Sequence, residues 1–87
     1  MAHERHQEEE ELGVARSIDL TGEVCPMTFF KAKLHLERLR IGEVLEVLLK
    51  DGEQMRNVPR GIKEEGHQIV HVRREDDRYR VFIRRQA

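Results

Sequence analysis

A two-layer α/β sandwich, with two helices covering one face of a four-stranded sheet in the order βαβαββ, is the fold this sequence predicts. Three observations predict it. Four short segments alternate apolar and polar residues at the strand period, and two others carry a proline near their start and a glycine just past their end. Eighty-seven residues leave room for one compact domain. Hydrophobic and charged residues each make up 38%, so the apolar side chains must be concentrated into an aliphatic core, with only three Phe, one Tyr and no Trp to contribute.

Residues 1–13 read as a flexible acidic tail, with Glu8, Glu9, Glu10 and Glu11 in a run and no sustained apolar period. The folded domain is expected over residues 14–87. Residues 15–20 alternate at Ile18 and Leu20 and stop at Thr21-Gly22, which predicts a short strand and a turn. Residues 26–40 read as the first helix, with Pro26 as its first helical residue and Gly42 just beyond its end. Arg38 and Arg40 fall where cations favour the helix dipole. In this helix Phe29, Ala32, Leu36 and Leu39 form one apolar arc, and Met27, Phe30, Leu34 and Ile41 form another that either packs on the second helix or stays open for docking.

Residues 43–50 place Leu45, Val47 and Leu49 on one strand face and end at Asp51-Gly52. Residues 57–65 predict a short second helix capped by Asn57, with Pro59 in its first turn, Gly61 weakening it and Gly66 after it. Residues 68–74 and 78–84 form a hairpin across Glu75-Asp76-Asp77. Its last strand sends Tyr79, Val81 and Ile83 to one side and Arg78, Arg80, Phe82 and Arg84 to the other, the arginine side being expected to face solvent.

The near-balance of 16 basic and 17 acidic residues excludes a chain that holds nucleic acid by net charge. Direct nucleic-acid binding is therefore not expected. No segment reaches the roughly 18 to 20 apolar residues of a membrane span, and the N-terminus lacks the pattern of a secretion signal, so a cytoplasmic protein without membrane contact is expected. The single cysteine, Cys25, excludes an internal disulfide or a Cys-x-x-Cys site. His67 and His71 are four apart but on a strand, without a third ligand nearby, so no metal site is expected.

The chemistry concentrates at Thr21-Gly22-Glu23-Val24-Cys25-Pro26-Met27-Thr28. With Pro26 opening the helix, Cys25 occupies the cap position, where a thiolate faces unsatisfied N–H groups and the positive end of the helix dipole. That field contributes up to about 2 kcal/mol, enough to bring a free thiol near pKa ~8.5 towards ~7. Lys33 lies too far along the helix, roughly 12 Å, to do the same. A lone activated thiolate suits reversible sulfur chemistry: it can take sulfane sulfur from a donor persulfide and present it to another protein. Other readings of the same residues are a thiol-based redox regulator, and an RNA- or protein-binding module using the arginine face of the last strand.

The run Asp19-x-x-Gly22-x-x-Cys25-Pro26, with Lys33, Gly42-Glu43-x-Leu45, Asp51, Asn57-Val58-Pro59 and Gly66-His67 in order behind it, resembles the TusA/SirA-like sulfur-carrier family over about residues 17–84. The resemblance implies a mixed sheet and a sulfurtransferase-type carrier that needs no metal or organic cofactor. It implies Cys25 as the persulfide-bearing residue, with Asp19, Gly22, Pro26 and Thr28 supporting the loop and helix start. Met27, Phe30, Lys33 and Arg60 are the candidates for partner docking. The implied partners are a sulfur donor, a cysteine desulfurase or rhodanese-like protein, and a sulfur acceptor protein, in relays towards thiolated tRNA, molybdenum cofactor or sulfur oxidation. The family's usual Cys-Pro-x-Pro is here Cys25-Pro26-Met27-Thr28, which restores an N–H and adds a hydroxyl at position 28.

Overall fold

A computed structural model of the chain describes residues 13–24 and 26–87. Cys25, with its expected cap position and persulfide role, lies outside the described residues, as does the expected tail apart from Gly13. Six elements follow in order: β1 (Val14–Asp19), α1 (Met27–Glu37), β2 (Val44–Lys50), α2 (Glu53–Glu64), β3 (Gln68–Glu75) and β4 (Arg78–Arg84). The strands form one mixed sheet in the spatial order β1-β2-β4-β3. The neighbours β1 and β2 run parallel, which demands a crossover, and α1 supplies it. The β3–β4 hairpin then inserts β4 antiparallel to β2, so that β2 and β4 hold the centre. Asp76 adopts a left-handed conformation (φ 57°) in the two-residue turn, which a short polar side chain tolerates.

Each helix offers the sheet a stripe at i, i+4, i+8 spacing: Thr28, Ala32 and Leu36 from α1, and Gln54, Val58 and Ile62 from α2. These apolar residues meet Leu45, Val47, Leu49, Val81 and Ile83, and Phe29, Leu39 and Tyr79 close the margin of the core. The arc of the first helix that begins at Phe29 is thus the inward one. The other stays open, with Met27 46%, Phe30 53% and Leu34 47% exposed.

The two helices meet where Gly61 faces Phe29: a β-carbon at Gly61 would stand 2.6 Å from the Phe29 ring. Glycine is therefore required here by contact rather than by backbone angle. In Gly61→Ala the helix propensity gained, about 1 kcal/mol, works against the displaced ring. Gly61→Val keeps the clash and forgoes most of the gain, and we expect it to lower stability by about 1–3 kcal/mol in urea unfolding. A variant as stable as the parent would show that the ring swings aside freely.

Four expectations need correction. The first helix begins at Met27 with Pro26 as its N-cap (φ −93°, ψ 3°), because the carbonyl of Pro26 accepts the Phe30 N–H at 3.2 Å. The cap is thus one residue later than expected, and Cys25 precedes it in sequence. The same helix ends at Glu37 rather than near Arg40, with Arg38 as its C-cap, and Arg85 at the exit of β4 adds a second cation there, donating to the carbonyls of Glu37 (2.9 Å) and Leu39. The second helix starts at Glu53, behind Gly52 in a positive-φ conformation, rather than at Asn57. Asn57 is then no cap and Pro59 lies inside the helix, a placement that ordinarily costs about 3 kcal/mol and that the anchoring of Gln54 and the burial of Val58 and Ile62 offset here.

The fourth correction concerns the sheet face away from the helices, which was expected to face solvent. Val44, Leu48 and Phe82 are buried there. The Phe82 ring lies 5.2 Å from that of His71. Beside it runs a charged chain in which Glu46 accepts from Ser17 (2.7 Å) and Arg80 (2.6 Å), and Glu75 accepts from Arg80 (2.9 Å) and Arg73 (2.6 Å). Cross-strand pairing of opposite charges draws these long side chains down onto the sheet instead of out into water.

Candidate functional site

The segment that leads to Cys25 is built by three sets of hydrogen bonds. Leu20, almost fully buried, ends the first strand's run by donating its N–H to Leu48 O at 3.0 Å. Asp19 then turns the chain: its Oδ1 accepts from the Thr21 N–H at 2.9 Å and the Thr21 hydroxyl at 2.7 Å. The Glu23 N–H closes the turn on Leu20 O at 3.1 Å. The hydroxyl and then the amide of Thr21 hold the Asp19 carboxyl below the usual carboxylate range. Gly22 sits exposed at the bend, with open space where a β-carbon would be.

After position 25, Pro26 is exposed and Thr28 is completely buried in the first turn of α1. The N–H that a proline would lack at position 28 is used, donating to Val24 O at 3.3 Å. The Thr28 hydroxyl has no hydrogen-bond partner among the described residues. No acidic side chain stands in the first turn of α1 and Pro26 offers no side-chain cap, so nothing on the helix itself offsets the positive end of its dipole.

The docking candidates divide. Met27 and Phe30 lie together on the open arc of α1, continued by Leu34 and preceded by Val24, which is 74% exposed. Lys33 is on α1 but engaged, in an ion pair with Glu65 at 2.7 Å that joins α1 to the end of α2. Arg60 is exposed on α2. Lys31 pairs with Glu23 at 2.9 Å and so ties the loop to the helix that follows it.

The residue that sequence reasoning missed is Gln54. It is 7% exposed, and its side chain reaches the loop: Nε2 donates to Leu20 O at 3.0 Å and Glu23 O at 2.8 Å, while Oε1 accepts the Lys50 N–H at 2.8 Å. A cleft of about 190 Å³ opens beside it, lined by Glu23, Val24, Lys50, Asp51, Glu53 and Gln54. No local signal marks Gln54, since a glutamine after an Asp-Gly turn ordinarily faces water.

These features lie within residues 16–85, the span that matches the family model for sulfurtransferase TusA. The chain belongs to the TusA family. A candidate sulfur carrier protein of Archaeoglobus fulgidus is 38% identical over 68 residues, covering 78% of this chain and 77% of that one. The sulfur carrier protein TusA of Pseudomonas putida is 29% identical over 70 residues, covering 80% and 88%. The crystal structure of a SirA-like protein from Desulfitobacterium hafniense superimposes with a TM-score of 0.69 at 25% identity, covering 83% of this chain and 99% of that one. The mixed sheet and the βαβαββ order are therefore those of the TusA/SirA fold.

Among the described residues of this TusA-family chain, no cluster of three or more His, Cys, Asp or Glu side chains could hold a metal ion, and no helix is long and apolar enough to cross a membrane. His67 is largely buried, and its Nδ1 accepts the Gln86 N–H at 3.2 Å. Burial, then Arg85, holds its pKa below the ordinary imidazole value; burial, then Arg16, does the same to His35. Both rings bind protons less readily folded than unfolded, so their contribution to stability is intact at neutral pH and shrinks as pH falls below about 6.5. Carboxyls held low, Asp19 and Glu65, extend the loss below about pH 4.5. Urea midpoints are thus expected to fall in two stages from pH 8 to pH 3. His67→Gln, which can still accept from Gln86, should flatten the first stage; a midpoint constant from pH 7 to pH 5 in the parent would contradict the assignment.

Proposed function

We propose that this chain relays sulfur, taking a sulfane sulfur atom onto Cys25 as a persulfide and passing it to a partner protein. The observation that carries the reading is the position of the sole cysteine in the sequence, directly after a loop braced by Asp19, Thr21 and Gln54 and directly before a helix N-terminus without an acidic residue, in a chain of the TusA family. In the transfer, the Cys25 thiolate attacks the outer sulfur of a donor persulfide. A new S–S bond forms on Cys25, the donor's S–S bond breaks and the donor departs as a thiolate, so the exchange needs no oxidant or reductant. The amide donors of α1 favour the thiolate that begins the step and the anionic persulfide that ends it.

Asp19 and Gly22 shape the loop, Pro26 caps the helix and Thr28 anchors its first turn to the core in this reading. The open arc of Val24, Met27, Phe30 and Leu34 is where donor and acceptor would press against the loop, with Lys33, on the same helix, and Arg60, exposed on α2, as further candidates for contact. The arginine face is the weaker basis for a binding module, because Arg73 and Arg80 are already engaged by Glu75 and Glu46. Incubation with a cysteine desulfurase and cysteine, or with a rhodanese-like protein charged with thiosulfate, should add one sulfur to the intact mass, removable by a thiol reductant. No addition with either donor would rule the relay out. Faster reaction with peroxide than with persulfide would favour redox regulation instead.

A further inference from the structure

We infer that Gln54 is the positioning residue of the sulfur-carrying loop, setting the reactivity of Cys25 from the second residue of α2. The inference rests on the relay reading for its purpose but on geometry for its content. One planar carboxamide joins the end of β2 to the loop by both its oxygen and its nitrogen. Its oxygen accepts from Lys50 N–H, a group that can only donate. Its nitrogen faces Leu20 O, Glu23 O and, at 3.5 Å, Thr21 O, groups that can only accept. The orientation of the amide is therefore set by its surroundings and not by choice.

The consequence falls on residue 25. The turn over residues 20–23 is closed once by its own backbone bond and a second time by Gln54, which draws the carbonyls of Leu20 and Glu23 inward under α2. Glu23 is two residues before Cys25, and Val24 O supplies the acceptor for Thr28 N–H at the start of α1. Releasing the clamp frees Glu23 O and the peptide that follows, and with them the register between the loop and the helix N-terminus that stabilises a thiolate. No other described side chain hydrogen-bonds to both ends of this turn.

The test compares the full-length parent, Gln54→Met, which keeps the length of the side chain but neither donates nor accepts a strong hydrogen bond, and Ile62→Val, a stability control on the core-facing stripe of the same helix. Iodoacetamide alkylation of Cys25 is followed from pH 5 to pH 10 by intact mass, with urea unfolding of each chain alongside. We expect Gln54→Met to move the alkylation profile to higher pH and to slow alkylation at pH 7 by about three- to tenfold, the upper end being one pKa unit. Ile62→Val should leave the profile in place. Superimposed profiles for parent and folded Gln54→Met, or an equal shift in Ile62→Val, overturn the inference.

Should Gln54→Met not fold, the parent alone decides. Hydrogen exchange at the Glu23 amide and alkylation of Cys25 are then followed together in urea below the unfolding transition. Alkylation that changes in step with opening of the turn supports the clamp, and alkylation indifferent to that opening refutes it. A parent chain that accepts no sulfur from any donor would end the relay reading while these profiles still judge Gln54.

Discussion

Cys25→Ala is expected to reduce sulfur uptake from a cysteine desulfurase to background, while leaving the chain folded. The chain has one cysteine, so no neighbouring thiol can take over and no internal disulfide can trap the sulfur. A loss that is complete rather than partial follows from this. Cys25→Ser should behave identically, because an alcohol with no activating base does not open a persulfide S–S bond, whatever hydrogen bonds it makes at the helix start. The measurement is intact mass after incubation with donor and cysteine, with the parent gaining one sulfur in the same mixture. Equal gain in both chains would place the sulfur elsewhere and remove the basis for a carrier. Stability should change little, since the residues that hold the loop, Asp19, Thr21 and Gln54, are all retained.

Leu49→Ala is expected to produce the largest loss of stability among single truncations of the core. Leu49 is completely buried in the central strand β2, in the core cluster that residues of both helices share, and pairs with Tyr79 of β4. Truncation of such a leucine costs about 2–5 kcal/mol, the upper part arising from the cavity that a β-strand between two others does little to close. A domain of this size has a total stability of roughly 4–13 kcal/mol, so the loss takes a large share of it. Met27→Ala, on the exposed arc of α1, should stay within about 0.5 kcal/mol of the parent while weakening partner contact. Urea titration followed by circular dichroism separates the two, and a Leu49→Ala midpoint equal to that of the parent would mean that the core at β2 is not where these contacts place it.

The strands were legible because their signal is local. Alternation at Leu45, Val47 and Leu49, and again at Tyr79, Val81 and Ile83, reports one inward face, and those six residues do line the same core. The inward arc of α1 was legible for the same reason. The start of α2 was not. Asn57 and Pro59 imitate a helix N-terminus, whereas the true start depends on Gln54 finding carbonyls 31 and 34 residues back in the chain. Likewise Gly61 looked like a weakness in the helix, and only the Phe29 ring across the interface shows why a side chain is unwelcome there.

The amino-acid order alone determined the succession of strands and helices, the turn at Asp19-Thr21-Gly22 before the single thiol, and membership of the TusA family, because each depends on residues close together in the chain or on a motif in sequence. Tertiary structure decided which polar residue braces that turn, why Gly61 is a glycine, and how Phe82 and Val44 come to be buried on the side without helices. Those outcomes arise from contacts between elements distant in sequence, whose partners no local period announces.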